Sequence, residues 1–214
     1  MGTSATKKAT KQVDKAHYRF ESYVSIERWS SYYYQLREAL ALRPSSILEI
    51  GVGDGVLGGY VRANTAVRYV SADIDPELHP DVVADVLHLP FRDGEFDVVC
   101  AFEVLEHLPF QSFGAALAEL GRVASKAVIV SLPHRAPAIR FELKLPFLPR
   151  LRVSCKIPFP TRHAFDGEHY FEIGRQGYSI GRIRAVMSER FDIRKDFVPY
   201  ENQFHHFFVL DTRL

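Results

Sequence analysis

The sequence predicts an α/β fold organised on a doubly wound, mostly parallel sheet, and three observations carry that expectation. Short apolar runs, ILEI, VRYV, DVVCAF and AVIVSL, alternate with stretches of helical character, and parallel strands of one sheet need a crossover between each pair. The first run leads directly into GVGDG, with glycines at Gly51, Gly53 and Gly55. A tight turn there lets backbone N–H groups approach a ligand with no Cβ in the way. The second run and the short VVA after it lead to acids, Asp73 and Asp85, at the strand tips where sheets of this kind bind ligands.

Length and composition bound the reading. A chain of 214 residues suits one domain with a single substantial core. A formal net charge of +1 makes no global electrostatic case for nucleic acid. Cys100 and Cys155 are the two cysteines, too few for a disulfide framework and without metal-binding C-x-x-C spacing, as a reduced intracellular compartment favours. The N-terminus has no apolar signal segment, and no stretch approaches the roughly 18 to 20 apolar residues of a membrane span. A soluble, cytoplasmic protein is expected.

Residues 1–16, rich in Thr, Ser, Ala and Lys, read as a mobile basic tail, because they cannot offset the entropy of ordering. Residues 17–214 read as one domain, opened by a helical cap over 17–43. That cap carries the aromatic cluster Trp29, Tyr32, Tyr33 and Tyr34 and is placed to fold over the turn that follows. Strands are expected over Ser46 to Gly51, Val67 to Asp73, Val82 to Ala84, Phe96 to Phe102 and Ala127 to Pro133. Helices are expected to Asn64, from Gln111 to Val123, where Phe113, Leu117 and Leu120 keep a 3.6-residue rhythm, and from Gly177 to Arg190.

The glycines alone do not identify a ligand. Gly53, Gly55 and Gly58 also satisfy the dinucleotide pattern G-x-G-x-x-G. Asp73 adds information: it lies 18 residues after Gly55, at a strand tip where a carboxylate can accept hydrogen bonds from both hydroxyls of a ribose.

With these residues in view, the chain resembles the class I S-adenosylmethionine-dependent methyltransferases, in particular the large "type 11" small-molecule group. ILEIGVGDG is similar to the family's first motif, including Glu49 two positions before the first glycine. Asp73, with Ile74 beside it, matches the ribose acid. Asp85-Val86 followed by LPF matches the segment that sets a carboxylate near the adenine amino group and an apolar wall beside the ring. Phe102 to Leu108, FEVLEHL, matches the segment lining the methionine side. The resemblance implies a Rossmann-like sheet of about seven strands, with FDIRKDFVP and FHHFFVLDTR as a closing pair whose last strand inserts antiparallel. It further implies S-adenosyl-L-methionine as cofactor, bound through Glu49, Gly51, Gly53, Gly55, Asp73, Ile74, Asp85, Val86 and Phe102.

A sulfonium carries an activated methyl group, so the protein has chiefly to orient an acceptor and exclude water. No metal is required for that, and none is expected. A hydroxyl or amine acceptor needs help losing a proton, for which histidine suits. His134, just beyond the fifth strand, is the first catalytic candidate. His169, in DGEHYFEIG with Asp166, Glu168 and Glu172, is the second. His107 occupies a position that is commonly structural in the resembled family, and His163 is a further histidine of the same region.

Residues 135–170 read as a lid-like insertion. Arg135 to His163 carries seven basic residues, among them Arg140, Arg150 and Arg152, against the single acid Glu142, interleaved with Phe141, Leu145, Phe147 and Leu148. Six of the chain's 12 prolines fall between Pro133 and Pro160, which argues against a long helix. An apolar, basic lid suits a small anionic or lipid-linked acceptor and peripheral contact with an anionic membrane; a solvated flap packed by its own leucines is the plainer reading. A catalytically silent cofactor-binding module and an RNA methyltransferase are the alternatives. The near-zero net charge and FEVL in place of a (D/N)-P-P-(Y/F) tetrapeptide argue against nucleic acid as a partner.

Overall fold

The computed structural model describes residues 15–165 and 167–213; most of the expected basic tail, and Asp166, lie outside them. Phe20–Tyr23 (α1) and Ile26–Ala41 (α2) precede the sheet. Ser25 caps α2 by accepting from the N–H of Arg28 at 3.2 Å, the N-cap role for which a short hydroxyl is suited.

Ser46–Ile50 (β1), Val56–Asn64 (α3), Arg68–Asp73 (β2), Val82–Val83 (β3), Phe96–Phe102 (β4), Phe110–Val123 (α4) and Ala124–Pro133 (β5) follow, with α-helices after β1 and β4 and none between β2, β3 and β4. Every residue of β1 is buried, because helices cover both faces of the sheet and a parallel strand has no solvent side. After a hairpin of Ala138–Leu143 (β6) and Leu151–Lys156 (β7) come Ile180–Ser188 (α5), Phe191–Phe197 (β8) and His205–Thr212 (β9).

Seven strands pair in the order β3-β2-β1-β4-β5-β9-β8. β9 is antiparallel to both β5 and β8, and every other pairing in the sheet is parallel. The expected seven-stranded sheet with an inserted antiparallel last strand is therefore present. Strand order reverses between β1 and β4, which opens a crevice at their carboxyl ends.

The core has two layers. Phe113, Leu117 and Leu120 of α4 and Ile183 and Met187 of α5 pack on Leu48, Val99 and Val130 on one face. Ala39 of α2 and Leu57 and Val61 of α3 pack on Ile47, Cys100 and Phe207 on the other. Cys100 is fully buried, so it is a packing residue as expected.

The β6–β7 hairpin is a separate two-stranded sheet. Its β6 residues are all exposed, and those of β7 nearly so. It is tethered at its base, where Lys156 Nζ donates to the carbonyls of His134 at 2.9 Å and Ala136 at 3.0 Å, and along its side, where Arg152 pairs with Glu201. Among the described residues no helix is long and apolar enough to cross a membrane.

Candidate active site

A cavity of about 450 Å³ opens at the carboxyl ends of β1, β2 and β4. Glu49, Gly51, Gly53, Asp73, Ile74, Asp85, Val86 and Phe102 all line it, so the structure brings together eight of the nine residues that the resemblance assigns to the cofactor. Gly55 is the ninth. It caps α3 with φ 75° and is not among the lining residues, so it shapes the turn from behind.

Backbone geometry explains the glycines. Gly51 has φ 81°, and a Cβ there would come within 2.4 Å of Val104 Cγ2; both the conformation and the close packing require the missing side chain. The turn is then tied to β2, where the Val52 N–H donates to Asp73 Oδ2 at 2.7 Å and the Asp75 N–H donates to Asp73 Oδ1 at 2.8 Å. Burial pushes the Asp73 carboxyl up and these backbone donors pull it down; the balance is a raised value.

Glu49 lies one strand over, and Tyr69 donates its hydroxyl hydrogen to Glu49 Oε2. Burial pushes the Glu49 carboxyl up to about 8 against the pull of that bond. Gly58 sits directly on the same tyrosine, since a Cβ there would meet the Tyr69 hydroxyl at 2.6 Å. Asp85 accepts from the Leu87 N–H at 2.9 Å, which fixes its carboxyl beside the apolar wall of Val86.

The N-terminal cap closes one side. Tyr18, Tyr23, Arg28 and Tyr32 line the cavity, and Tyr32 donates to Asp54 Oδ2. Of the aromatic cluster singled out in the sequence only Tyr32 takes part, while Trp29 and Tyr33 are exposed. Tyr18 and Tyr23 carry no sequence signal beyond being aromatic. Burial pushes the Tyr23 phenol up to about 12.

The catalytic histidines expected from the sequence lie off this cavity. His134 is buried, and its Nδ1 lies 3.0 Å from Nδ1 of His206. It lines a second hollow, at the hairpin base, with Lys156, Phe159 and Phe204. Burial pushes His134 down to about 3, helped by the neighbouring His206, so its ring is neutral. His169 Nδ1 is 3.2 Å from Glu172 Oε1, and its ring meets His107 edge-on at 5.1 Å. His107, Glu103 and Tyr170 do line the cavity. Neither Glu103 nor Tyr170 was named as a site residue from the sequence; Glu103 had a signal, since it opens the EVLEH segment after β4.

The fold and this crevice define an α/β domain with two acids, Asp73 and Asp85, on one cavity at the carboxyl edge of its sheet. Residues 48–131 match the methyltransferase domain family Methyltransf_11. Norajmaline N-methyltransferase of Rauvolfia serpentina is 30% identical over 112 residues, covering 44% of this chain. The match spans 38% of that curated relative's length. Among solved structures, the N-methyltransferase NodS from Bradyrhizobium japonicum WM9, in complex with S-adenosyl-l-homocysteine, superposes with a TM-score of 0.59 at 11% identity, covering 89% of each chain. The magnesium protoporphyrin IX methyltransferase from Synechocystis PCC 6803, with bound S-adenosylmethionine, gives 0.56 at 14% identity, over 88% of this chain and 81% of that one. At these identities the structural likeness speaks to the fold. Residues 48–131 are thus similar to a methyltransferase domain, and the chain shares the fold of solved structures that hold S-adenosylmethionine or S-adenosyl-l-homocysteine.

Proposed function

We propose that the protein methylates a small-molecule acceptor, anionic or lipid-linked, by in-line displacement within the cavity described above. The observation that carries this reading is the continuity of that cavity: Gly51, Asp73 and Asp85 line the same space as Tyr23, Arg28, Glu103, His107 and Tyr170. A cofactor and an acceptor can therefore meet without crossing a wall.

The residues present fit the cofactor. Asp73 would hold the ribose hydroxyls, Asp85 the adenine amino group, Val86 a ring face, and the Gly51–Gly53 turn the methionine part. When bound, S-adenosylmethionine supplies a sulfonium-activated methyl group. The chain's own work is orientation, which contributes up to about 7 to 11 kcal/mol in well-aligned systems, and exclusion of water by Tyr18, Tyr23 and Tyr32. Arg28 sets a positive charge at the acceptor end, in keeping with an anionic acceptor.

The exposed hairpin supports the lipid-linked reading. Its tip, KLPFLPR, sets Leu145, Phe147 and Leu148 in solvent between the cations Lys144 and Arg150, the arrangement of a segment that seats apolar side chains among anionic headgroups. The test is incubation with S-adenosylmethionine and a panel of acceptors, anionic amphiphiles and neutral compounds of similar size, with release of S-adenosylhomocysteine and a mass gain of one methyl group read together. Turnover confined to the anionic amphiphiles is expected; turnover on the neutral compounds alone would overturn the acceptor class, and cofactor binding with no product from any arm would favour a silent binding module.

A further inference from the structure

We infer that Glu106, His107 and His169 form a divalent-cation site beside the cavity, behind the wall that His107 lines. One ligand atom of each lies within 4.8 Å of the others, a separation that small side-chain adjustments bring to the roughly 2.0 to 2.2 Å of metal–nitrogen and metal–carboxylate bonds.

The strongest indication is Glu106 itself. Its residue is fully buried, and both carboxyl oxygens lack a hydrogen-bond partner. A buried carboxyl left without partners carries its full desolvation cost. The Arg28 guanidinium acts on it only through space. Glu103, three residues earlier, also has an unpartnered buried oxygen, Oε1. A cation on Glu106 would relieve the deficit there.

The two imidazoles are oriented for ligation. The Nδ1–H of His107 donates to the carbonyl of Glu168 at 3.0 Å, and the Nδ1–H of His169 donates to Glu172 Oε1 at 3.2 Å. Protons held on Nδ1 place the lone pairs on Nε2. Carbonyl and carboxylate partners on the far nitrogen are the usual outer support of metal-bound histidine. Glu172 is in turn fixed by Arg175 at 3.0 Å. None of these supports has a role in holding a nucleoside.

Two imidazoles with carboxylates suit a first-row divalent ion such as Mn²⁺, Co²⁺ or Zn²⁺ better than Mg²⁺. Because His107 and Glu103 line the cavity while Glu106 lies behind them, an open coordination position would face the acceptor. The acceptor class this selects is one bearing hydroxyl or carboxylate oxygens. That last step rests on the methyltransferase reading; the cation site does not.

The experiment is titration of the metal-stripped protein with Co²⁺, followed by visible absorption, and with Mn²⁺, followed by loss of the free-ion resonance signal, together with calorimetry of S-adenosylhomocysteine binding. One saturable equivalent per chain is expected. Glu106→Gln and His169→Ala should each weaken it by about 100-fold or more, and Glu172→Gln by about 10- to 100-fold, as outer-support changes do. His169 is partly exposed, so His169→Ala remains informative if Glu106→Gln fails to fold. No saturable uptake, or uptake unchanged in the folded variants, overturns the site. Cation uptake without S-adenosylhomocysteine binding would leave the site standing and remove the methyltransferase reading instead.

Discussion

The backbone N–H of Val52 donates to Asp73 Oδ2 at 2.7 Å, so the glycine turn after β1 and the acid at the tip of β2 are one unit. This link ties together two motifs that lie 21 positions apart in the chain. The turn cannot shift without moving the carboxylate assigned to the ribose. The same bond uses part of the carboxylate's accepting capacity and orients the remainder toward the cavity it lines.

Two glycines in that turn should respond differently to alanine. Gly51→Ala adds a Cβ within 2.4 Å of Val104 and holds it at φ 81°, so cofactor affinity is expected to fall by more than tenfold as the turn deforms. Gly55→Ala meets nothing within 4 Å although φ is 75°. It should cost only the backbone strain, about 1 to 2 kcal/mol, seen as a lower melting temperature with affinity nearly intact. Calorimetry and thermal melts on the pair check this, and equal loss of affinity in both would contradict it.

His134 and Asp196 should each contribute a loss of stability on acidification, in two stages. His134 is pushed down from 6.5 to about 3, chiefly by burial. The unfolded chain therefore takes up a proton near pH 6.5 that the folded chain refuses, and stability falls as pH drops from there toward 3. Asp196 is held down from 3.8 to about 2, chiefly by its hydrogen bond from His206. Its contribution is complete above about pH 4 and is lost as pH falls through 2. Urea denaturation against pH checks the first stage: His134→Gln should flatten the slope between pH 4 and 6.5, and an unchanged slope would show that His134 takes up its proton in the fold.

The hairpin tip offers a test separate from the cofactor. Phe147→Ser should weaken binding to vesicles containing anionic lipid several-fold, while affinity for S-adenosylhomocysteine stays the same. Charge reversal at Arg150 and Arg152 is a less direct probe, because both guanidiniums already pair with Glu142, at 3.3 and 3.0 Å. Equal vesicle binding by the wild type and Phe147→Ser would remove the membrane contact.

The sheet was largely legible from the sequence, because its central strands β1, β4 and β5 are buried almost throughout and read as continuous apolar runs. The boundaries of β4 match the expectation residue for residue. The β6–β7 hairpin was not legible as strands. Its residues are exposed on both sides, so no alternation of polarity marks it, and only Pro146 and Pro149 punctuate its turn. Eight of the nine residues that the resemblance assigns to the cofactor line one cavity because they fall in short segments at neighbouring strand tips. His134 was misplaced for the opposite reason: its partner His206 comes from β9, 72 residues away, and the burial that removes His134 from the cavity is set by a strand inserted last. Glu106 was passed over because a carboxyl with no partner has no sequence signature.

The most direct test of the central claim is calorimetric titration of the protein with S-adenosylmethionine and S-adenosylhomocysteine, beside Asp73→Ala. Hydrogen bonds to a charged acceptor are worth about 1.5 to 3 kcal/mol each, so micromolar binding to the wild type and at least a tenfold loss in the variant are expected. Absence of binding in the wild type, or equal affinity in Asp73→Ala, would contradict the assignment of this crevice to the cofactor.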